Sequence, residues 1–148
     1  MEAFAEGEFT IAGKLKVERK YCASGDSVEE KRKGYEGNYT YYTKVTNIEE
    51  RYNGKARGQV GIVHGFSEES DIFLEVAYQL ALNNFMVHII DTDSYGYTSG
   101  QRGQGPDLEK FHHNLTCLLD QFEEGLPSFL YGNSMGCMII NTFLLNNQ

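Results

Sequence analysis

The sequence predicts an α/β fold, a mostly parallel sheet flanked by helices, and three observations carry that prediction. Short apolar runs at Gln59–His64, Phe85–Ile90 and Ser128–Tyr131 have the length and composition of strands buried on both faces. Stretches with helical spacing of apolar residues follow each of them, at Glu68–Asn84, Asp107–Phe122 and Met135–Asn146. Ahead of this regular alternation lies a segment rich in Tyr, Thr and Val, which suits two or three additional strands.

In chain order, Phe9–Tyr21 alternates partially, with Phe9, Ile11, Leu15 and Val17 at odd positions. Ala23–Gly37 is polar, charged and broken by glycines, and reads as a long connection. Tyr39–Ile48 reads as a half-buried strand, and Tyr52–Gly58 as a turn built on the hairpin-favouring dipeptide Asn53-Gly54. In the first helix Ile72, Phe73, Val76, Ala77, Leu80 and Ala81 make the predicted apolar stripe. Asp91–Gly105 is a Gly/Ser/Thr-rich loop, and Pro106 marks the start of the second helix, whose stripe is Leu108, Phe111, Leu115, Leu118, Leu119 and Phe122. Residues 1–148 read as a single, incomplete domain: an opening β/loop segment over 1–57 and a β-α-β-α-β-α core over 58–148.

Composition removes several classes of function. The net charge of −8, with no Lys/Arg stripe, argues against nucleic acid as a partner. Lys31-Arg32-Lys33 follows Glu29-Glu30 directly and reads as a solvated loop. No segment resembles a signal peptide or a membrane span. Cys22, Cys117 and Cys137 are odd in number and lack C-x-x-C spacing, so the expectation is no disulfide framework, no zinc site and a cytoplasmic location. His112 and His113 diverge by about a hundred degrees on a helix and cannot chelate one ion together. No metal or cofactor is called for.

The chemistry concentrates in Gly132-Asn133-Ser134-Met135-Gly136, a G-x-S-x-G pentapeptide between a strand-like and a helix-like run. In that setting the motif denotes a tight turn that pushes a serine hydroxyl out above the end of a sheet, and flanking glycines relieve the crowding. Ser134 is therefore the candidate nucleophile. His64-Gly65-Phe66 ends another parallel-type strand on the same edge of the sheet. The backbone N–H groups of Phe66 and Met135 are the candidate oxyanion donors. His64, Gly65, Gly132 and Gly136 support the site; for His64 the structural reading, holding loops by hydrogen bonds, outweighs that of a general base. His88 reads as a core histidine, Asp91 and Asp93 as loop caps, and Arg102 as a tie within its own loop.

From about Gly58 onward the chain resembles the monoglyceride lipase and lysophospholipase-like group of α/β-hydrolases, which includes serine aminopeptidase-like members. The resemblance rests on His64-Gly65-Phe66-Ser67-Glu68, on Asp91, Gly96, Gly100, Arg102 and Gly103 in the following loop, and on the pentapeptide. It implies the N-terminal half of an α/β-hydrolase fold, ending just after the elbow helix. It also implies ester hydrolysis through Ser134 and a lipid-like acyl ester as small-molecule substrate. The group often has His where Asn133 stands, Gly where Ser94 stands and Ser where Thr98 stands.

The fold places its acid and base after the nucleophile, and none of the fourteen residues following Ser134 is Asp, Glu or His. The favoured expectation is part of a longer serine ester hydrolase, inactive by itself. The alternative is a non-catalytic, hydrolase-like binding or assembly module with a protein partner over the open sheet edge. Peripheral membrane contact stays open, although no amphipathic anchor is visible.

Overall fold

The computed structural model describes residues 6–23 and 39–148. Except for Ala23, the expected connection over Ala23–Gly37 lies outside the described residues, as does the Lys31-Arg32-Lys33 cluster.

Six strands form one sheet in the order β1-β2-β3-β5-β4-β6. They are β1 (Gly7–Ile11), β2 (Leu15–Ala23), β3 (Tyr39–Asn47), β4 (Gly58–Val63), β5 (Phe85–Ile90) and β6 (Ser128–Gly132). Helices α1 (Leu74–Leu82), α2 (Leu108–Leu119) and α3 (Met135–Asn146) complete the fold. The sheet is mixed. Pairing is antiparallel from β1 through β3 to β5, and β4 pairs in parallel with both β5 and β6.

The alternating strand–helix core forms as predicted, and the opening segment differs in detail. The alternation over Phe9–Tyr21 is split by a turn with Ala12 at φ 50° and Gly13 at φ 63°. The Lys14 N–H closes it on the Ile11 carbonyl, 2.9 Å away. Two successive positive φ values match the twist of a hairpin, so one apparent strand becomes β1 and β2. Asn53-Gly54 also forms a turn, with φ 48° and 68°, but it closes no hairpin. β5 lies between β3 and β4, so the strands on either side of that turn never pair.

Alternation along the central strands sends side chains to two cores. Val45, Ile62, Val87 and Ile89 meet Phe73, Ala77 and Ala81 on the α1 face. Tyr42, Val63 and Ile90 meet Phe111, Leu115 and Leu118 of α2 and Ile139 and Ile140 of α3 on the other. Gly61 permits the second packing: a Cβ there would lie 2.9 Å from side-chain atoms of Leu118, Phe122 and Leu130. In the first helical stretch the stripe is narrower than predicted. Phe73, Ala77 and Ala81 are buried, while Ile72 and Val76 face outward, because a 3-10 turn over Ser70–Phe73 precedes α1 and changes the phase of the spacing.

β6 also departs from its prediction as a buried strand. It lies at the edge of the sheet, and Phe129 and Tyr131 are 54% and 49% exposed. Its composition suits burial on both faces, but among the described residues only β4 pairs with it.

Cys22 of β2 and Cys117 of α2 form a disulfide, their Cα atoms 5.9 Å apart across a sequence separation of 95. This corrects the expectation of unbridged cysteines. The partners sit in different layers of the fold, so local spacing carried no sign of them. Closing so long a loop restricts the unfolded chain by on the order of 4 kcal/mol in the entropic model. Cysteine usage consequently no longer argues for a reducing compartment. Cys137 is free and exposed. Among the described residues no helix is long and apolar enough to cross a membrane.

His88 is fully buried on β5, its Nδ1 2.6 Å from the Tyr42 hydroxyl, and its Nε2 finds no partner among the described residues. Burial, aided by Lys44 and Lys20, pushes its pKa from the ordinary 6.5 down to about 3. The unfolded chain then takes up a proton that the folded chain refuses. Stability from this residue is complete above pH 6.5 and is lost as the pH falls toward 3. The expected loss is about 1.4 kcal/mol per pH unit within that window. Urea unfolding from pH 7 to pH 4 should show this slope, and His88→Gln should flatten it. Equal slopes for the two proteins would contradict the assignment.

Candidate active site

The parallel pairing of β4 with β6 brings the two predicted motifs together. Its register runs from Gln59↔Ser128 to Val63↔Gly132, so both strands end at the same level of the sheet. Beyond that level β4 continues into His64-Gly65-Phe66, while β6 turns through Asn133 and Ser134 into α3. The Asn133 N–H still donates to the Val63 carbonyl at 3.1 Å.

Ser134 sits at the N-terminus of α3 with φ 48° and ψ −110°, a conformation that side-chain-bearing residues rarely adopt. The surrounding glycines make the turn possible. A Cβ on Gly132 would lie 2.6 Å from the Cys137 nitrogen, and one on Gly136 would collide with the Val63 carbonyl oxygen. The elbow is thus wedged directly against the end of β4. The Ser134 side chain is exposed and bonds to no described residue.

Phe66 stands 66% exposed on the neighbouring loop. Among the described residues neither its backbone N–H nor that of Met135 has a hydrogen-bond acceptor. A helix N-terminus carries partial positive charge, which reinforces the Met135 donor. Beside Phe66 lies a cleft of about 420 Å³, lined also by Tyr95, Arg102 and Pro106.

His64 is buried and fully engaged. Its Nε2 accepts from the Thr92 N–H at 2.9 Å, and its Nδ1 lies 2.8 Å from the Gly65 carbonyl. The tautomer satisfying both contacts carries its proton on Nδ1, leaving no ring nitrogen for Ser134. His64 therefore joins the end of β4 to the loop after β5.

The remaining titratable candidates are committed elsewhere. The Asp91 carboxylate accepts from the Ser70 N–H at 2.6 Å and the Tyr97 N–H at 2.8 Å. The Asp93 carboxylate accepts from the Ser94 hydroxyl at 2.9 Å. Arg102 donates to the carbonyls of Ser94 and Gly96, tying down its own loop. His112 bonds Thr142 between α2 and α3 at 2.8 Å. Among the described residues no cluster of His, Cys, Asp or Glu could hold a metal ion.

Glu68 enters the site only in the structure, having stood in the sequence as no more than part of a motif. It accepts from the Gly65 N–H at 2.6 Å and from the Asn133 side-chain amide at 2.9 Å. Those two donors, Asn133 first, lower its carboxyl pKa. The signal available in the sequence was an acid three residues after Gly65 together with an amide immediately before the serine.

Residues 54–148 match the family model of the serine aminopeptidases, S33. The chain belongs to this family. The match spans β4, the oxyanion-loop candidate and the elbow, the same elements that carry the resemblance to monoglyceride lipases. Among curated relatives, the chain is 33% identical over 91 residues to the monoglyceride lipase of Saccharomyces cerevisiae, covering 55% of this chain and 28% of that protein. It is 30% identical over 83 residues to an uncharacterized abhydrolase domain-containing protein of Dictyostelium discoideum, covering 55% of this chain and 9% of that protein. The chain thus spans less than a third of either relative.

Among solved structures, a thermostable carboxyl esterase from Bacillus coagulans aligns over 88% of this chain and 40% of its own, at TM-score 0.67 and 24% identity. The yeast monoglyceride lipase aligns over 81% of this chain and 34% of its own, at TM-score 0.58 and 24% identity. These likenesses show the fold, and the expectation of an α/β-hydrolase resembling the N-terminal part of monoglyceride lipases holds.

The elbow conformation yields a stability test. Ser134→Gly removes the serine from a backbone conformation that costs a side-chain-bearing residue about 1–3 kcal/mol. The variant should unfold at a higher denaturant concentration than the wild type. A lower midpoint would contradict the strain at this position.

Proposed function

We propose that the chain carries the nucleophile half of a serine ester hydrolase of the monoacylglycerol or lysophospholipid type. The single observation that supports this most strongly is the strained, exposed Ser134 together with two backbone N–H groups, those of Phe66 and Met135, that have no acceptor among the described residues. In this reading the Ser134 Oγ attacks the acyl carbonyl, and the carbonyl oxygen becomes an oxyanion held by those two donors. The tetrahedral intermediate expels the alcohol, and water hydrolyses the resulting acyl-serine by the same route in reverse order. The cleft beside Phe66 would take part of an acyl ester, and no cofactor enters the chemistry.

The base that removes the Ser134 proton and the acid that orients it are assigned to sequence outside residues 1–148. His64 has no free nitrogen, and each Asp91 carboxylate oxygen already accepts a backbone N–H. The short coverage of both curated relatives supports this assignment. By the same reading the 148 residues alone bind but do not turn over an ester.

The second reading, a non-catalytic binding or assembly module, is favoured by one observation: the exposed Phe129 and Tyr131 on edge strand β6, which among the described residues pairs with β4 alone. A protein partner over that edge would cover them.

A fluorophosphonate probe separates the two. Applied to the full-length protein, it should label Ser134, and Ser134→Ala should abolish the label. A full-length protein that stays unlabelled while correctly folded would favour the second reading.

A further inference from the structure

The two oxyanion donors lie on segments that part company where the sheet ends. Backbone pairing of β4 with β6 stops at Val63↔Gly132, and its last extension is the Asn133 N–H on the Val63 carbonyl. Phe66 and Met135 both lie beyond that point. Their relative placement therefore depends on whatever ties loop 64–67 to the elbow outside the sheet.

Among the described residues, the Glu68 side chain makes that tie by hydrogen bonds. The Glu68 Oε2 accepts from the Gly65 N–H at 2.6 Å, one residue before Phe66. Both carboxylate oxygens lie 2.9 Å from the Asn133 Nδ2, two residues before Met135. The Glu68 N–H donates back to the Gly65 carbonyl at 3.3 Å, closing the turn that carries Phe66. The packing leaves no slack, since a Cβ on Gly65 would lie 2.8 Å from the Glu68 Oε2 and 3.1 Å from the Asn133 Nδ2 and carbonyl oxygen.

We propose that Glu68 is a positioning residue whose carboxylate clasps Gly65 to Asn133 and so aims the Phe66 and Met135 N–H groups at one point. This rests on the reading of Ser134 as nucleophile. Glu68 touches no reacting atom. Its charge close to a developing oxyanion would by itself oppose catalysis, so its contribution is geometric, and the Gly65 and Asn133 donors hold the charge in place. A displacement of either donor by about 1 Å is enough to cost on the order of 100-fold in rate. Asn133 acquires a reason as well: the position before the nucleophile needs a side-chain donor aimed at this carboxylate.

The polarity of the clasp can be reversed. In Asn133→Asp the new carboxylate faces the Glu68 carboxylate, acceptor against acceptor, and the link to the elbow breaks. Adding Glu68→Gln restores it. The introduced amide then donates to the introduced carboxylate, while the amide's own carbonyl still accepts from the Gly65 N–H.

Two readouts on the full-length protein test this. In amide NMR spectra of the wild type, the Gly65 backbone N–H and the Asn133 side-chain amide should titrate together with a midpoint below 4.5. In Asn133→Asp the Phe66 and Met135 amide resonances should both move, and in the Glu68→Gln/Asn133→Asp pair they should return toward their wild-type positions. The rate of fluorophosphonate labelling at Ser134 should fall by about tenfold or more in Asn133→Asp and recover in the Glu68→Gln/Asn133→Asp pair. Unmoved Phe66 and Met135 resonances, or a labelling rate within about twofold of wild type, would overturn the proposal. Failure of the reading it rests on looks different: the wild type does not label, while its amides still titrate with Glu68. Should Asn133→Asp not fold, the wild-type titration and the reversed pair still decide.

Discussion

The architecture of this chain depends on the parallel pairing of β4 with β6 and on how closely α3 approaches the point where that pairing ends. Gly136 rests against the Val63 carbonyl with no room for a side chain, and Gly132 is equally confined. These contacts hold Ser134 at φ 48° and ψ −110°. A conformation of that kind persists only when its surroundings over-determine it. Here the surroundings are the register of two strands, the helix that starts at Met135 and the loop that His64 ties to Thr92. The exposed serine follows from packing.

The same constraint explains the division of labour among polar residues. His64, Asp91, Asp93 and Arg102 all lie near the active edge, and each is spent on polar groups of the loops around it. Loops at the end of a sheet expose many unpaired N–H and C=O groups, and side chains of this kind satisfy them. Among the described residues the Phe66 and Met135 N–H groups and the Ser134 hydroxyl have no hydrogen-bond partner.

The legible parts of the sequence were those dictated by local pattern. β4 and β5 are buried on both faces, so apolar runs marked them closely, and the pentapeptide marked the elbow because only glycine fits beside so sharp a turn. The parts that escaped depend on distant partners. The bridge between Cys22 and Cys117 joins elements far apart in sequence, and Glu68 acquires its role only when β6 is laid against β4. The burial of β6 was predicted from composition, yet its exposure follows from its place at the sheet edge. Asn53-Gly54 shows the converse: the turn formed as its residues demand, but the strand inserted between its neighbours came from elsewhere in the chain.

A working oxyanion site requires the Phe66 and Met135 N–H groups to converge on a single oxygen beside Ser134. A crystal structure of the full-length protein carrying an alkyl phosphonate on Ser134 would show this without intermediaries. One phosphoryl oxygen should lie within about 2.7–3.1 Å of both nitrogens. A phosphonate whose oxygens reach neither nitrogen, or reach only one, would contradict the assignment.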